Sequence, residues 1–241
     1  MNLNLIYSPS SLKTFVQCPY KFKAMQIDKS VKWEQNESAK RGEQLHALME
    51  TACINGWDSV QWTDAKSEVY AHRFVNTVTA MKQQGWEIHT EAGVATDGYG
   101  NALDYWAKAP QNYIRCRIDL YATHPDFNTV MIYDWKSGSV YAADDLQLQV
   151  NAACLQPLLH KDHYIAAFCY LDSGTVKTQE LNIQGLDVRA SDPLEFATSP
   201  CLEMMNALDG AQHAIATGKF LKTKNRFCKW CQVKECEFAG K

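Results

Sequence analysis

Asp119 and the triplet Asp134-Trp135-Lys136 place two carboxylates and an ammonium close together in a region that reads as strands. Asp119 ends an alternating stretch, and Asp134 and Lys136 flank Trp135 on the next strand. Side chains two apart on a strand share a face, so Asp134 and Lys136 point into one cavity. If the strands pair through the turn at 124–128, Asp119 joins them. Two carboxylates at close range do not both ionise comfortably unless a cation lies between them. Such oxygen donors suit Mg²⁺ or Mn²⁺. An ammonium beside the ion positions water and offsets charge on a phosphate under attack. The chemistry implied is metal-assisted hydrolysis of a phosphodiester.

Neighbouring residues extend this array. Gly42-x-x-x-His46 puts a glycine and an imidazole about one helical turn apart on one face, where His46 adds a nitrogen ligand. The expected ion ligands are His46, Asp119, Asp134 and the backbone carbonyl of Trp135. Glu91, on the strand before Asp119, is a further candidate carboxylate. Gln147, on the helix after Lys136, is expected to orient Lys136 or the attacking water.

A second chemical set is Cys18 with Cys228-x2-Cys231-x4-Cys236. Three thiolates in a short knuckle want a fourth, and thiolates select zinc or an iron–sulfur cluster. Either would tie the two ends of the chain together and remove unfolded-chain entropy. The other cysteines, Cys53, Cys116, Cys154, Cys169 and Cys201, lie in apolar contexts and read as buried, reduced thiols of a cytosolic protein.

The elements that must position these residues follow from periodicity. Ser8-Pro9 reads as a helix cap and first turn, followed by Leu12, Phe15 and Val16 on one face. Residues 38–55 show helical spacing at Leu45, Leu48, Met49 and Ala52; residues 64–83 do so at Val69, Phe74, Val75 and Val78. Strands are expected at 86–96, 113–123, 129–136, 164–171 and 175–183, with turns at TDGYGN, HPDFN and DSG. Helices are expected at 144–159 and 197–217. The result is an α/β fold, a mixed central sheet flanked by helices. We divide it into an N-terminal helical part (1–85), a core of sheet and helix (86–190) and a C-terminal helix with the cysteine segment (191–241).

With 241 residues, 46% of them hydrophobic, the chain can bury a sizeable core. No apolar run reaches the roughly 18 residues of a membrane span, and the start lacks the pattern of a signal peptide. The net charge of −3 is uneven. Residues 1–41 carry seven Lys and Arg against three acids, and residues 213–241 carry seven against two. If the terminal cysteines meet, these segments merge into one basic face with Lys21, Lys23, Lys222, Lys224 and Arg226 available to a phosphate backbone. Tyr20, Trp33 and Trp230 are candidate stacking surfaces for bases.

Taken in order, Cys18, Gly42 and His46, Asp119, Asp134-x-Lys136, Gln147 and the cysteine triplet make the chain similar to the PD-(D/E)xK nucleases of the RecB/AddB-like iron–sulfur type. The resemblance covers nearly the whole chain and is nearest in size to stand-alone exonucleases of the CRISPR-adaptation and phage-recombination type. It implies a restriction-endonuclease-like core, a Mg²⁺- or Mn²⁺-dependent deoxyribonuclease and a [4Fe–4S] cluster on the four cysteines, with Zn²⁺ as the alternative. It implies single-stranded DNA as the favoured substrate and weakly a 5′→3′ direction. A helicase or recombination protein is an expected partner, because no G-x-x-x-x-G-K-[ST] motor motif occurs. The chain departs from the family pattern at Asn151, where tyrosine is usual. The alternative reading is a non-catalytic DNA-binding module that keeps the fold.

Overall fold

The structure, a computed structural model, describes residues 5–31, 36–97, 100–108, 113–138, 140, 145–183 and 201–241. Ser8 accepts from the Ser11 amide and Pro9 opens α1 (Pro9–Gln17), as the sequence predicts. A short α2 (Pro19–Phe22) and a π-helical turn follow. Asn36 and Asp64 cap two long helices, α3 (Glu37–Asn55) and α4 (Ala65–Gln83). The strands are β1 (Glu87–Thr96), β2 (Ala102–Leu103), β3 (Ile114–Thr123), β4 (Thr129–Lys136), β5 (His163–Tyr170) and β6 (Val176–Asn182). Two further α-helices are α5 (Asp145–Leu159), between β4 and β5, and α6 (Leu202–Thr217), near the C-terminus, and short 3₁₀ turns cover Trp57–Ser59 and Arg226–Trp230.

The six strands form one mixed sheet in the order β2-β1-β3-β4-β5-β6. Only β4 and β5 are parallel, because the chain crosses over through α5 between them. One face packs on α5, α6 and α1 through Ile118, Val130, Ile132, Val150, Leu155 and Met204. The other packs on α3 and α4 through Leu45, Met49, Phe74, Val78, Trp135 and Leu171. Two expected helix positions prove exposed instead, Val16 at 61% and Val69 at 69%. Each helix buries only one stripe, and these residues lie outside it. The tip of the TDGYGN turn, residues 197–200 of the last expected helix and Trp33 lie outside the described residues.

The two ends of the chain meet. Tyr20 N–H donates to the Leu221 carbonyl at 3.0 Å, and the Asn225 side-chain amide donates to the Gln17 carbonyl at 2.9 Å. The start of α6 is held from another helix. Gln149 of α5 is buried, accepts from the Met204 amide at 3.0 Å and donates to Glu203. Cys201, the residue at the cap position, makes no side-chain cap bond, so Gln149 does that task. Gln149→Leu should therefore cost roughly 1–2 kcal/mol, read as a lower urea midpoint, by stripping the cap and leaving Glu203 without its partner.

Candidate active site

The ladders that flank Asp119 open around it. Between β1 and β3 the pairs run Thr90↔Leu120 and Ala92↔Ile118, skipping Glu91 and Asp119. Between β3 and β4 the pairing stops at Leu120↔Tyr133. Beyond that point the Asp119 carboxylate accepts the Trp135 amide at 2.7 Å. A side chain thus takes the place of the next backbone rung, so Asp119 is fixed in a wedge between strands. Glu91 has φ of 47°, in the left-handed region that side chains rarely adopt. That twist moves the strand's inward face from Ile88, against α3 and α4, to Ala92 and Val94, against α5. It turns Glu91 toward Asp119.

His46 reaches the same point from α3. Its Nδ1 lies 3.2 Å from Asp119 Oδ1. One ligand atom from each of His46, Glu91 and Asp119 lies within 4.8 Å of the others. Gly42, one turn earlier, lets α3 approach the end of β4, since a Cβ there would meet Ser137 Oγ at 3.2 Å. An open groove of about 440 Å³, lined by Gly42, Glu43, His46, Glu50 and Glu91, gives access.

Asp134 and Lys136 share a face, as strand alternation requires, and form an ion pair. Gln147 bridges them, accepting from Lys136 Nζ at 3.0 Å and donating to Asp134. The Lys136 ammonium also lies 5.0 Å from the Phe168 ring centre. Among the described residues, the convergence of ligand atoms thus includes Glu91, whereas Asp134 is engaged with Lys136 and Gln147.

The electrostatics of the cluster follow from its burial and crowding. Burial raises the Asp134 carboxyl to about 6, against the opposing pull of Lys136 and with the help of the Asp119 charge. Burial, then the Asp119 charge, raises Glu91. Burial works to lower the His46 imidazole, but the hydrogen bond and charge of Asp119 outweigh it, and the ring is raised. Crowded carboxylates are here competing for positive charge. A donor set of one imidazole and several carboxylates around such a point suits a divalent cation.

Asn151, one turn after Gln147, is fully buried, and neither amide atom meets a partner among the described residues. Burial keeps it from reaching a nucleic acid at the surface. Cys53, Cys116, Cys154, Cys169 and Cys201 are buried, as expected. Cys18, Cys228, Cys231 and Cys236 line one cavity together with Tyr20, Asn225 and Val233. The Asn225 amide donates to Cys228 Sγ at 3.4 Å. Of the basic candidates, Lys224 and Arg226 are exposed and Lys21 is half-buried. Lys23 pairs with Asp28 at 2.5 Å and Lys222 with Glu237 at 2.6 Å. Lys222 also lies over the Tyr20 ring, and Lys229 over the exposed ring of Trp230.

The sequence reading missed the support behind this site. Asp172, in the DSG turn after β5, accepts from Arg41 at 2.6 and 3.1 Å, from Ser67 Oγ at 2.7 Å and from the Gly138 amide at 3.0 Å. Arg41 also donates to Asp64 at 2.6 Å. This hub joins the start of α3, the start of α4 and the loop just after Lys136. Only the turn was legible; the partners come from three distant segments.

The family model for the PD-(D/E)XK nuclease superfamily matches residues 6–236. The crystal structure of SSO0001 is similar in fold, with a TM-score of 0.51 at 14% identity, covering 98% of this chain and 88% of that one. A search of curated protein sequences finds no match.

Proposed function

This chain belongs to the PD-(D/E)XK nuclease superfamily, and from that premise we propose a deoxyribonuclease that works as an exonuclease on single-stranded or frayed DNA ends. The observation that carries the catalytic reading is the convergence of His46, Glu91 and Asp119 beside the Asp134–Lys136–Gln147 bridge. His46, Glu91 and Asp119, with Asp134 and the Trp135 carbonyl adjacent, would hold Mg²⁺ or Mn²⁺. Such an ion supplies charge stabilisation to a phosphate under attack. The Trp135 amide keeps Asp119 aimed into the site. Gln147 holds the Lys136 ammonium where it donates to a phosphate oxygen and orients the attacking water.

The four cysteines lining one cavity support a metal staple between the chain ends. On the sequence resemblance we take the staple to be a [4Fe–4S] cluster rather than zinc. The same resemblance supports a 5′→3′ direction and a place in recombination, repair or DNA capture. Work on intact duplex would need a helicase partner.

The test is anaerobic purification followed by digestion of 5′- and 3′-labelled single-stranded and duplex DNA, with Mg²⁺, Mn²⁺ or EDTA. Cleavage of single strands that EDTA abolishes is the expected result, and the two labels give the direction. Failure to cut with either ion, by folded protein that still binds DNA, would favour the non-catalytic module. The same preparation should contain iron and absorb broadly in the visible, and Cys18→Ser should lower the iron content. Zinc without visible absorbance would overturn the iron–sulfur assignment.

A further inference from the structure

The hairpin end of β1 and β2 carries a feature that the catalytic cluster does not use. A groove of about 420 Å³ is lined by Gly93, Leu103, Tyr105, Trp106, Arg117 and Leu158, among others. Asp104 builds the turn that presents its aromatic wall, accepting the Trp106 amide at 2.7 Å on its side chain and the Ala107 amide at 3.0 Å on its backbone. Tyr105 lies flat over β1 where Gly93 leaves room, since a Cβ at Gly93 would meet its ring at 2.9 Å. Arg115 and Arg117 flank that ring, at 5.4 and 6.0 Å from its centre. The turn holds the Trp106 backbone, its indole meets Tyr105 edge to face with ring centres 5.0 Å apart, and at 73% exposure most of that indole is uncovered.

The groove adjoins the catalytic cluster. Arg117 pairs across the ladder with Gly93, and its guanidinium lies 3.8 Å from Glu91. One long cation thus spans from the aromatic wall to a carboxylate of the cluster. An exposed indole face, an aromatic floor and guanidinium groups beside them match what a nucleotide presents, a planar base next to a phosphate. Bases within a duplex are already stacked and offer no free face to an indole. An unpaired base offers a free face that the interior of a duplex does not.

We propose that this groove binds one unpaired nucleotide next to the scissile phosphate, its base stacked on Trp106 and its phosphate met by Arg117. This rests on the nuclease reading for its orientation, and it makes the groove the feature that selects single strands over duplex. Arg117 has a second consequence. Bound between the strand's phosphate and Glu91, it couples filling of the groove to the position of Glu91 in the cluster.

The test measures binding in the Lys136→Ala background, so that strands stay intact, using fluorescence anisotropy of a labelled oligonucleotide. Adding Trp106→Ala should raise the Kd for single-stranded DNA about tenfold, with Trp106→Phe restoring most of the loss. An oligonucleotide of abasic nucleotides should bind both proteins alike. Arg117→Gln should weaken binding to normal and abasic strands alike and reduce the salt dependence by about one phosphate contact. A covalently closed circular duplex, which has no end and no free base face, should show no effect of Trp106→Ala. The proposal is overturned if Trp106→Ala leaves single-strand binding unchanged or weakens abasic and normal strands equally. Because binding is read directly, a wild-type protein that fails to cut would defeat the nuclease reading while this comparison still gave its own answer.

Discussion

Lys136→Ala should slow single-turnover DNA cleavage by about two to three orders of magnitude, the scale seen when one charge-stabilising donor is removed. DNA affinity should change little, since the basic surface and the β1–β2 groove remain. The argument rests on how completely Lys136 is held. Its ammonium meets Asp134 and Gln147, and both partners are themselves fixed, Asp134 by burial and Gln147 by bonding both. A group immobilised in this way costs no reorganisation when charge builds on the phosphate. Removing it also takes away the pull that lowers the Asp134 carboxyl, so Asp134 should take up a proton more readily in the variant. Lys136→Arg should recover little, because a planar guanidinium does not fit an ammonium's place between Asp134 and Gln147. A Lys136→Ala protein that cuts at the wild-type rate would remove Lys136 from the chemistry.

The largest structural effect is expected at Asp172. Its side chain is only 6% exposed and anchors Arg41, Ser67 and the Gly138 amide at once. Asp172→Ala takes from Arg41 one of its two carboxylate partners, leaving it only Asp64, and strips Ser67 and the Gly138 amide of their shared acceptor, at a cost of about 3 kcal/mol. For a chain of this length that is a fall of about 10 °C in Tm. The pH dependence has a definite sign. Hydrogen bonds from Arg41, and then from Ser67, hold the Asp172 carboxyl below the usual carboxylate range in spite of burial. Arg41 likewise lowers Asp64. A group whose folded pKa is depressed stabilises the fold above its unfolded value, near 4 for aspartate, and loses that contribution as pH falls toward the folded value. The gap in urea midpoint between wild type and Asp172→Asn should be full at pH 7 and shrink progressively below about pH 4. A gap that stayed constant down to pH 2.5 would show that Asp172 acts by shape and not by charge.

Much of this protein was legible in local sequence. Strand alternation put Asp134 and Lys136 on one face, the Ser8-Pro9 pair marked where α1 begins, and helical spacing located α3 and α4 to within a residue, although their caps Asn36 and Asp64 emerged only in the structure. Turn chemistry at 124–128 joined β3 to β4. These features are set by periodicity and backbone preference over a few residues, which a sequence displays directly. Exposure was less legible. Val16 and Val69 look like core residues in a list of apolar positions, but which stripe of a helix is covered depends on its neighbour.

Tertiary structure alone decided the rest. The gap in two ladders and the left-handed Glu91 bring Glu91 to Asp119 and His46, and nothing local in the His89-Thr90-Glu91-Ala92 stretch announces that geometry. Arg41 and Asp172 lie 131 positions apart, and Gln149 caps a helix 55 positions onward. Tyr105, Trp106 and Arg117 become one wall only after β1 pairs with both β2 and β3. Such contacts are made by packing of distant segments, and each partner taken alone is an ordinary polar or aromatic residue. The sequence by itself therefore determined the chemical inventory and the elements that carry it, and the packing of those elements decided which groups meet.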